Sequence, residues 1–240
     1  MIPAREQLIV ALDVSSAAQA QKIVSSLGDT VGFYKVGMQL YTAEGPAIVR
    51  ELVSSGRRVF LDLKYHDIPN TVGAAVREAG KLGVSLLTVH ASGGSKMLRA
   101  ASEAARESNP AMKVVAVTVL TSMDQDDLNE IMHGNLGEQV VYLAGLALRA
   151  GCHGVVSSAR EVRAMRTRLG NDFIVITPGL RPAGAAHGDQ ARVVTPAEAI
   201  AAGATHLVVG RPITAAANPA QEAEKIIREI EQAAQTTESR

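Results

Sequence analysis

The chain alternates short apolar runs with amphipathic stretches. Eight runs stand out: Leu8–Leu12, Gly32–Val36, Val59–Leu63, Leu86–Val89, Val114–Leu120, Gly154–Val156, Phe173–Ile176 and Leu207–Val209. They are rich in Val, Ile and Leu and show little polar alternation. Strands buried on both faces of a parallel sheet have this pattern, because neither face meets water. The intervening stretches repeat at helical spacing. Ala20, Ile23, Val24 and Leu27 fall at i, i+3, i+4 and i+7, and Ala223, Ile226, Ile227 and Ile230 do the same. Thr195-Pro196-Ala197-Glu198 reads as a capping box with Pro at the first helical position, Ser158 with Glu161 as a second box, and Asn218-Pro219 as the start of the last helix. Gly28, Gly56, Gly83, Gly151, Gly170 and Gly203 fall where helices end and a left-handed residue is wanted.

Eight strand–helix units in 240 residues leave 30 residues for each. The pattern predicts a single (β/α)8 TIM barrel over residues 1–240, a fold that typically takes ~250 residues. A doubly wound open sheet is the main alternative. It is weakened because Asp13-Val14-Ser15-Ser16 follows the first strand, where a dinucleotide fold would place Gly-x-Gly-x-x-Gly. Residues 235–240 read as a frayed polar tail, and Arg181–Arg192 as a long mobile loop.

Composition narrows the partners. Hydrophobic residues make up 47% of the chain, enough for a substantial core. Lys plus Arg and Asp plus Glu each number 24, so the net charge is zero, and only four Tyr, three Phe and no Trp are present. A neutral chain poor in aromatics argues against a nucleic-acid partner. The single cysteine, Cys152, excludes an internal disulfide and a Cys-based zinc cluster. No apolar run approaches the ~20 residues that span a bilayer, and Met1–Gln7 lacks the apolar segment of a secretory signal. The expectation is a cytoplasmic protein with a small-molecule ligand and no membrane partner.

In barrels of this class the chemistry sits at the C-terminal ends of the strands. Those ends carry Asp13, Lys35, Asp62 with Lys64, His90, Thr121, Ser157, Pro178 and Gly210-Arg211. Asp62 and Lys64 stand at i and i+2 on one strand, so both point to the same face. Lys35 ends the neighbouring strand and Asp67 begins the next loop, which predicts an alternating Lys35–Asp62–Lys64–Asp67 array. A purely structural ion-pair network is the alternative. Such networks are costly to desolvate and stabilise weakly, which favours a functional reason. Carboxylates on either side of Lys64 favour its ammonium form, which suits a proton donor better than a Schiff-base nucleophile. Two lysines also take up the space and charge that a divalent metal would need. At the end of the eighth strand, Gly210 lets the backbone approach a ligand, and Arg211 can grip a phosphate with two parallel hydrogen bonds.

Other features read more plainly. The six histidines show no metal-ligand spacing, and only His90 is a candidate to line the site. Arg160, Arg163, Arg166 and Arg168 read as a solvated helix face, Cys152 as a small packed residue, and Met38, Met97, Met112 and Met123 as core filler.

With these residues in place, the chain resembles the orotidine 5′-phosphate decarboxylase family, the bacterial short form in particular. The family signature Asp-x-Lys-x-x-Asp followed by Ile-Pro-Asn-Thr stands here as Asp62–Thr71. Phe33–Gly37, Val89–Gly94, Leu120–Met123, Thr177–Arg181 and Gly188–Gln190 match as well, so the resemblance covers nearly the whole chain. It implies a (β/α)8-barrel homodimer that converts orotidine 5′-phosphate to UMP and CO2 without cofactor or metal. It makes Lys64 the proton donor to C6 and sets Asp62 against the leaving carboxylate. Lys35 and Asp67 complete the charged array, with Asp67 and Thr71 reaching into the partner's site. It assigns Asp13 and Lys35 to ribose hydroxyls, Ile68 to the substrate-binding set and Thr121 to the pyrimidine. Arg181, Gln190, Gly210 and Arg211 take the phosphate side.

Two rival readings remain. Sugar-phosphate decarboxylases and hexulose-phosphate synthases of a similar barrel share Asp-x-Lys-x-x-Asp but use magnesium and carry an acidic residue near the position of Lys35. The second rival is a non-catalytic barrel that binds a phosphate ligand.

Overall fold

A computed structural model of the chain describes residues 2–180 and 194–238. Its strands are β1 (Leu8–Ala11), β2 (Phe33–Gly37), β3 (Arg58–Tyr65), β4 (Leu86–His90), β5 (Lys113–Val117), β6 (Gly154–Val156), β7 (Ile174–Thr177) and β8 (His206–Val209). They pair in parallel and in sequence order, and β8 pairs back with β1, so the sheet closes into a barrel. Among the described residues the helices are α1 (Ala4–Gln7), α2 (Ala17–Leu27), α3 (Met38–Glu44), α4 (Pro46–Ser54), α5 (Pro69–Lys81), α6 (Gly94–Ser108), α7 (Gln125–Ile131), α8 (Leu136–Arg149), α9 (Ala159–Leu169), α10 (Pro196–Ala202), α11 (Arg211–Thr214) and α12 (Pro219–Glu238). The predicted (β/α)8 TIM barrel is what forms, and the open-sheet alternative falls because β1 and β8 are hydrogen-bonded.

Closure explains why the strands do not alternate. Ile9, Phe33, Phe60, Val115, Ile176 and Val208 pack against one another inside the barrel. Their strand neighbours Leu8, Val10, Tyr34, Leu61, Val114 and Val175 belong to the outer core under the helices. Burying each such side chain stabilises the fold by roughly 1.5–3 kcal/mol. The predicted punctuation holds at most positions. Thr195 and Glu198 form the reciprocal box that opens α10, and Asn218 accepts from the Gln221 N–H at the start of α12. Ser158 caps α9 through the Arg160 N–H, but not as the predicted box, since the Glu161 N–H meets the Ser158 carbonyl rather than its hydroxyl. The six predicted helix-end glycines all have positive φ, between 52° and 106°.

Several expectations are corrected. β5 stops at Val117 rather than Leu120, because its pairing with both neighbours, β4 through His90 and β6 through Val156, ends there. Val119 and Leu120 are thereby freed for the cavity described below. Met97 and Met112 are core, but Met38 is 56% exposed. Arg166 leaves the solvated arginine face: it packs 4.4 Å over the Phe173 ring and donates to the carbonyls of Gly203, Asn171 and Phe173. α12 continues through the predicted tail to Glu238. The Arg181–Arg192 segment lies outside the described residues. No described helix is long and apolar enough to cross a membrane.

Candidate active site

Strand parity brings the charged residues together. On β1, β2 and β3 the inward positions below the rim are Ile9, Phe33 and Phe60. The same parity carried toward the C-terminal ends reaches Asp13, Lys35 and Asp62. These residues, with Lys64, Thr121, Gly210 and Arg211, line one cavity of about 460 Å³. Its floor is apolar, formed by Ala11, Phe60, Val117, Val156 and Val208, and Val119, Leu120 and Pro178 add to the wall. The volume suits a nucleotide-sized ligand.

The charges form a chain. The Lys35 ammonium lies 2.7 Å from Asp13 Oδ1 and 3.6 Å from Asp62 Oδ2. The Lys64 ammonium donates to both Asp62 oxygens at 3.0 Å. Asp62 and Lys35 are the enclosed members, with side chains 13% and 11% exposed, while Asp13 is 57% exposed at the rim. Within one chain the array is therefore Asp13–Lys35–Asp62–Lys64, and Asp67 of the same chain does not join it. Asp67 is exposed, its Oδ1 accepts from the Ile68 N–H at 2.6 Å, and it does not line the cavity of its own chain. Ile68 and Thr71 are likewise exposed and outside the lining. Lys64 accordingly contacts one carboxylate of its own chain rather than standing between two.

His90 does not line the cavity either. Its ring stacks on His66 at 5.4 Å, and its Nδ1 meets Ser92 Oγ at 2.8 Å. Burial, then the nearby His66 and Lys64, hold it below the ordinary imidazole range. Ser157 follows the inward Val156 and so lies buried toward the helices. Arg181 and Gln190 lie outside the described residues.

Residues 6–226 match the family described as orotidine 5′-phosphate decarboxylase / HUMPS. The chain belongs to this family. A Moorella thermoacetica protein named orotidine 5′-phosphate decarboxylase is 51% identical across 95% of this chain and 93% of its own. A Heliobacterium modesticaldum protein of the same name is 49% identical across 95% and 96%. The crystal structure of orotidine 5′-phosphate decarboxylase from Lactobacillus acidophilus matches with a TM-score of 0.84 at 41% identity, covering 93% of this chain and 98% of that one.

In this member of the decarboxylase / HUMPS family, two residues that the sequence pattern overlooks hold the charged ones. A Cβ on Gly37 would come within 2.8 Å of the Lys35 ammonium and 3.1 Å of Asp13 Oδ1. The glycine leaves room for that ion pair. Thr88, within the apolar run Leu86–Val89, is fully buried and donates to Asp62 Oδ1 at 3.0 Å. A hydroxyl inside an otherwise apolar barrel strand was the available signal, since it must find a partner there.

Proposed function

We propose that this protein is a cofactor-independent orotidine 5′-phosphate decarboxylase, forming UMP and CO2 in de novo pyrimidine synthesis, with Lys64 delivering the proton to C6. The observation that carries this reading is the Lys35–Asp62–Lys64 network in a cavity with an apolar floor. The names of the relatives point the same way. Loss of CO2 from C6 leaves an electron pair in the ring plane, where no adjacent carbonyl delocalises it. Stabilisation is then electrostatic, from an ammonium placed beforehand where the negative charge develops. Lys64 is that ammonium, held by Asp62. The Asp62 charge repels the substrate carboxylate, and the repulsion disappears as neutral CO2 departs.

The remaining assignments follow the resemblance. Asp13 and Lys35 take ribose hydroxyls, and Thr121 takes the pyrimidine. Gly210 and Arg211 hold the phosphate, together with Arg181 and with Gln190 bridging toward the base. Asp67, Ile68 and Thr71 act in the site of a second copy in a homodimer. Their exposure at the N-terminal end of α5, away from their own cavity, supports that reading. The setting, on this reading, is the cytoplasm.

The magnesium-dependent alternative is disfavoured by a specific contact. The Lys35 ammonium already occupies the space between Asp13 and Asp62 where a cation would have to bind. The experiment is direct. Purified protein mixed with orotidine 5′-phosphate should show a fall in ultraviolet absorbance, unaffected by EDTA. Lys64→Ala should lower turnover by ~10³ or more while remaining folded, since it removes both the proton donor and the charge facing the carbanion. No absorbance change in the parent, or Lys64→Ala within tenfold of it, would overturn the reading.

A further inference from the structure

Lys64 has an unusual backbone, and one side chain accounts for it. β3 and β4 pair in register at Leu61↔Leu87 and again at Tyr65↔Val89. Between those pairs β3 carries Asp62, Leu63 and Lys64, whereas β4 carries Thr88 alone. β3 therefore bulges, and a bulge takes backbone groups out of the ladder. Lys64 sits in the bulge at φ 53°, the one non-glycine with positive φ among the described residues. A side-chain-bearing residue keeps that conformation only when its surroundings impose it. Simple strand alternation thus does not aim Lys64, although it leads to the same side of the sheet.

The Lys64 N–H donates to Thr88 Oγ1 at 2.8 Å, which replaces the ladder bond that the bulge removes. Because that N–H can only donate, the hydroxyl accepts there. Its single proton is then free for Asp62 Oδ1, 3.0 Å away. Asp62 in turn takes the Lys64 ammonium on both oxygens. The circuit runs from the Lys64 backbone through Thr88 and Asp62 to the Lys64 ammonium. Thr88 is completely buried on the inward face of β4, where water does not replace it.

We propose that Thr88 is a positioning residue for the decarboxylation: its hydroxyl fixes the backbone of Lys64 and, through Asp62, the place of its ammonium. This rests on the reading of Lys64 as proton donor. The effect belongs to the reaction step rather than to nucleotide binding, because a displaced ammonium still leaves the ribose and phosphate contacts intact.

Two substitutions isolate the hydroxyl. Thr88→Val keeps the branched shape that suits a strand and removes the donor and acceptor, and Thr88→Ser keeps them. Thr88→Val should lower kcat by about tenfold or more, since it leaves the half-buried Lys64 N–H unpaired and loosens the reacting geometry. Its affinity for UMP should stay within threefold of the parent. Thr88→Ser should recover most of the turnover. If Thr88→Val does not fold, Thr88→Ala against Thr88→Ser provides the same comparison. Activity in Thr88→Val within threefold of the parent overturns the proposal. So does equal loss in the Ser and Val variants, or a loss of UMP affinity as large as the loss of kcat. A parent without decarboxylase activity would instead defeat the reading of the function itself.

Discussion

At the scale of single residues, the site depends on charges that other groups hold in place. Asp62 receives two bonds from Lys64 and one from Thr88, with Lys35 at 3.6 Å. Arg211 plays a separate part at the end of β8, on the cavity wall. If it grips the substrate phosphate, each charge-assisted hydrogen bond contributes roughly 1.5–3 kcal/mol, so Arg211→Ala should lower kcat/KM at least tenfold. With phosphate-free orotidine the same substitution should be nearly silent. Steady-state kinetics of parent and variant on both substrates checks this. An equal penalty on both would mean that Arg211 supports the barrel and not the phosphate. The residue types and the strand ends of this site were legible in the sequence, because period-two alternation assigns each side chain to a face. The carboxylate that extends the array within one chain was not, since Asp13 and Asp67 are equally plausible neighbours in one dimension.

At the scale of elements, Arg166 shows how a surface pattern can hide a structural contact. From α9 its guanidinium reaches two loops, one ahead of β7 and one behind α10. Arg166→Leu should destabilise the fold by roughly 2–3 kcal/mol, because the partly buried carbonyls of Gly203 and Phe173 lose charge-assisted donors. Arg166→Lys should not rescue it, since a point-like ammonium cannot serve several carbonyls at once as a planar fork does. Urea unfolding reads the loss, and turnover per folded molecule should be unchanged. On the helical wheel Arg166 falls between Val162 and Ala159, on the apolar side, whereas Arg163 lies beyond it, but only the neighbouring loops supply the carbonyls that Arg166 meets. The early end of β5 has a similar origin. The run Val114–Leu120 is apolar except for Thr118, and only the pairing shows that the ladders to β4 and β6 both stop at Val117.

At the scale of the whole molecule, the barrel has a reactive end and a stabilising end. At the latter, His206 begins β8, nearly fully buried with its ring edge-on to Phe33 at 6.2 Å. Burial, with a smaller push from Arg58, lowers its imidazole to about 4. The unfolded chain takes up this proton near pH 6.5, whereas the folded one does not until about pH 4. The stability from keeping His206 neutral is therefore complete above pH 6.5 and is lost as pH falls toward 4. The loss amounts to about 2–3 kcal/mol by pH 4.5. Denaturant unfolding at pH 7 and 4.5 should show a smaller drop in His206→Asn than in the parent. A second prediction concerns assembly. If Asp67 serves a second copy, Asp67→Ala and Lys64→Ala proteins are each inactive, but mixing them should restore activity as heterodimers regain one intact site. No recovery after confirmed subunit exchange would mean that the sites are not shared.

The sequence by itself determined the barrel and the end at which its polar residues gather. Eight apolar runs without alternation require two buried faces, and strand parity sends Lys35 and Asp62 inward with the floor residues Phe33 and Phe60. Only the tertiary structure decided that Asp13 completes the ion chain, that His90 turns to His66, and that a bulge opposite Thr88 aims Lys64. Each of these depends on the register between neighbouring strands or on a contact across loops. Local pattern records which face a residue takes, but the residue opposite it is set only when the strands pair.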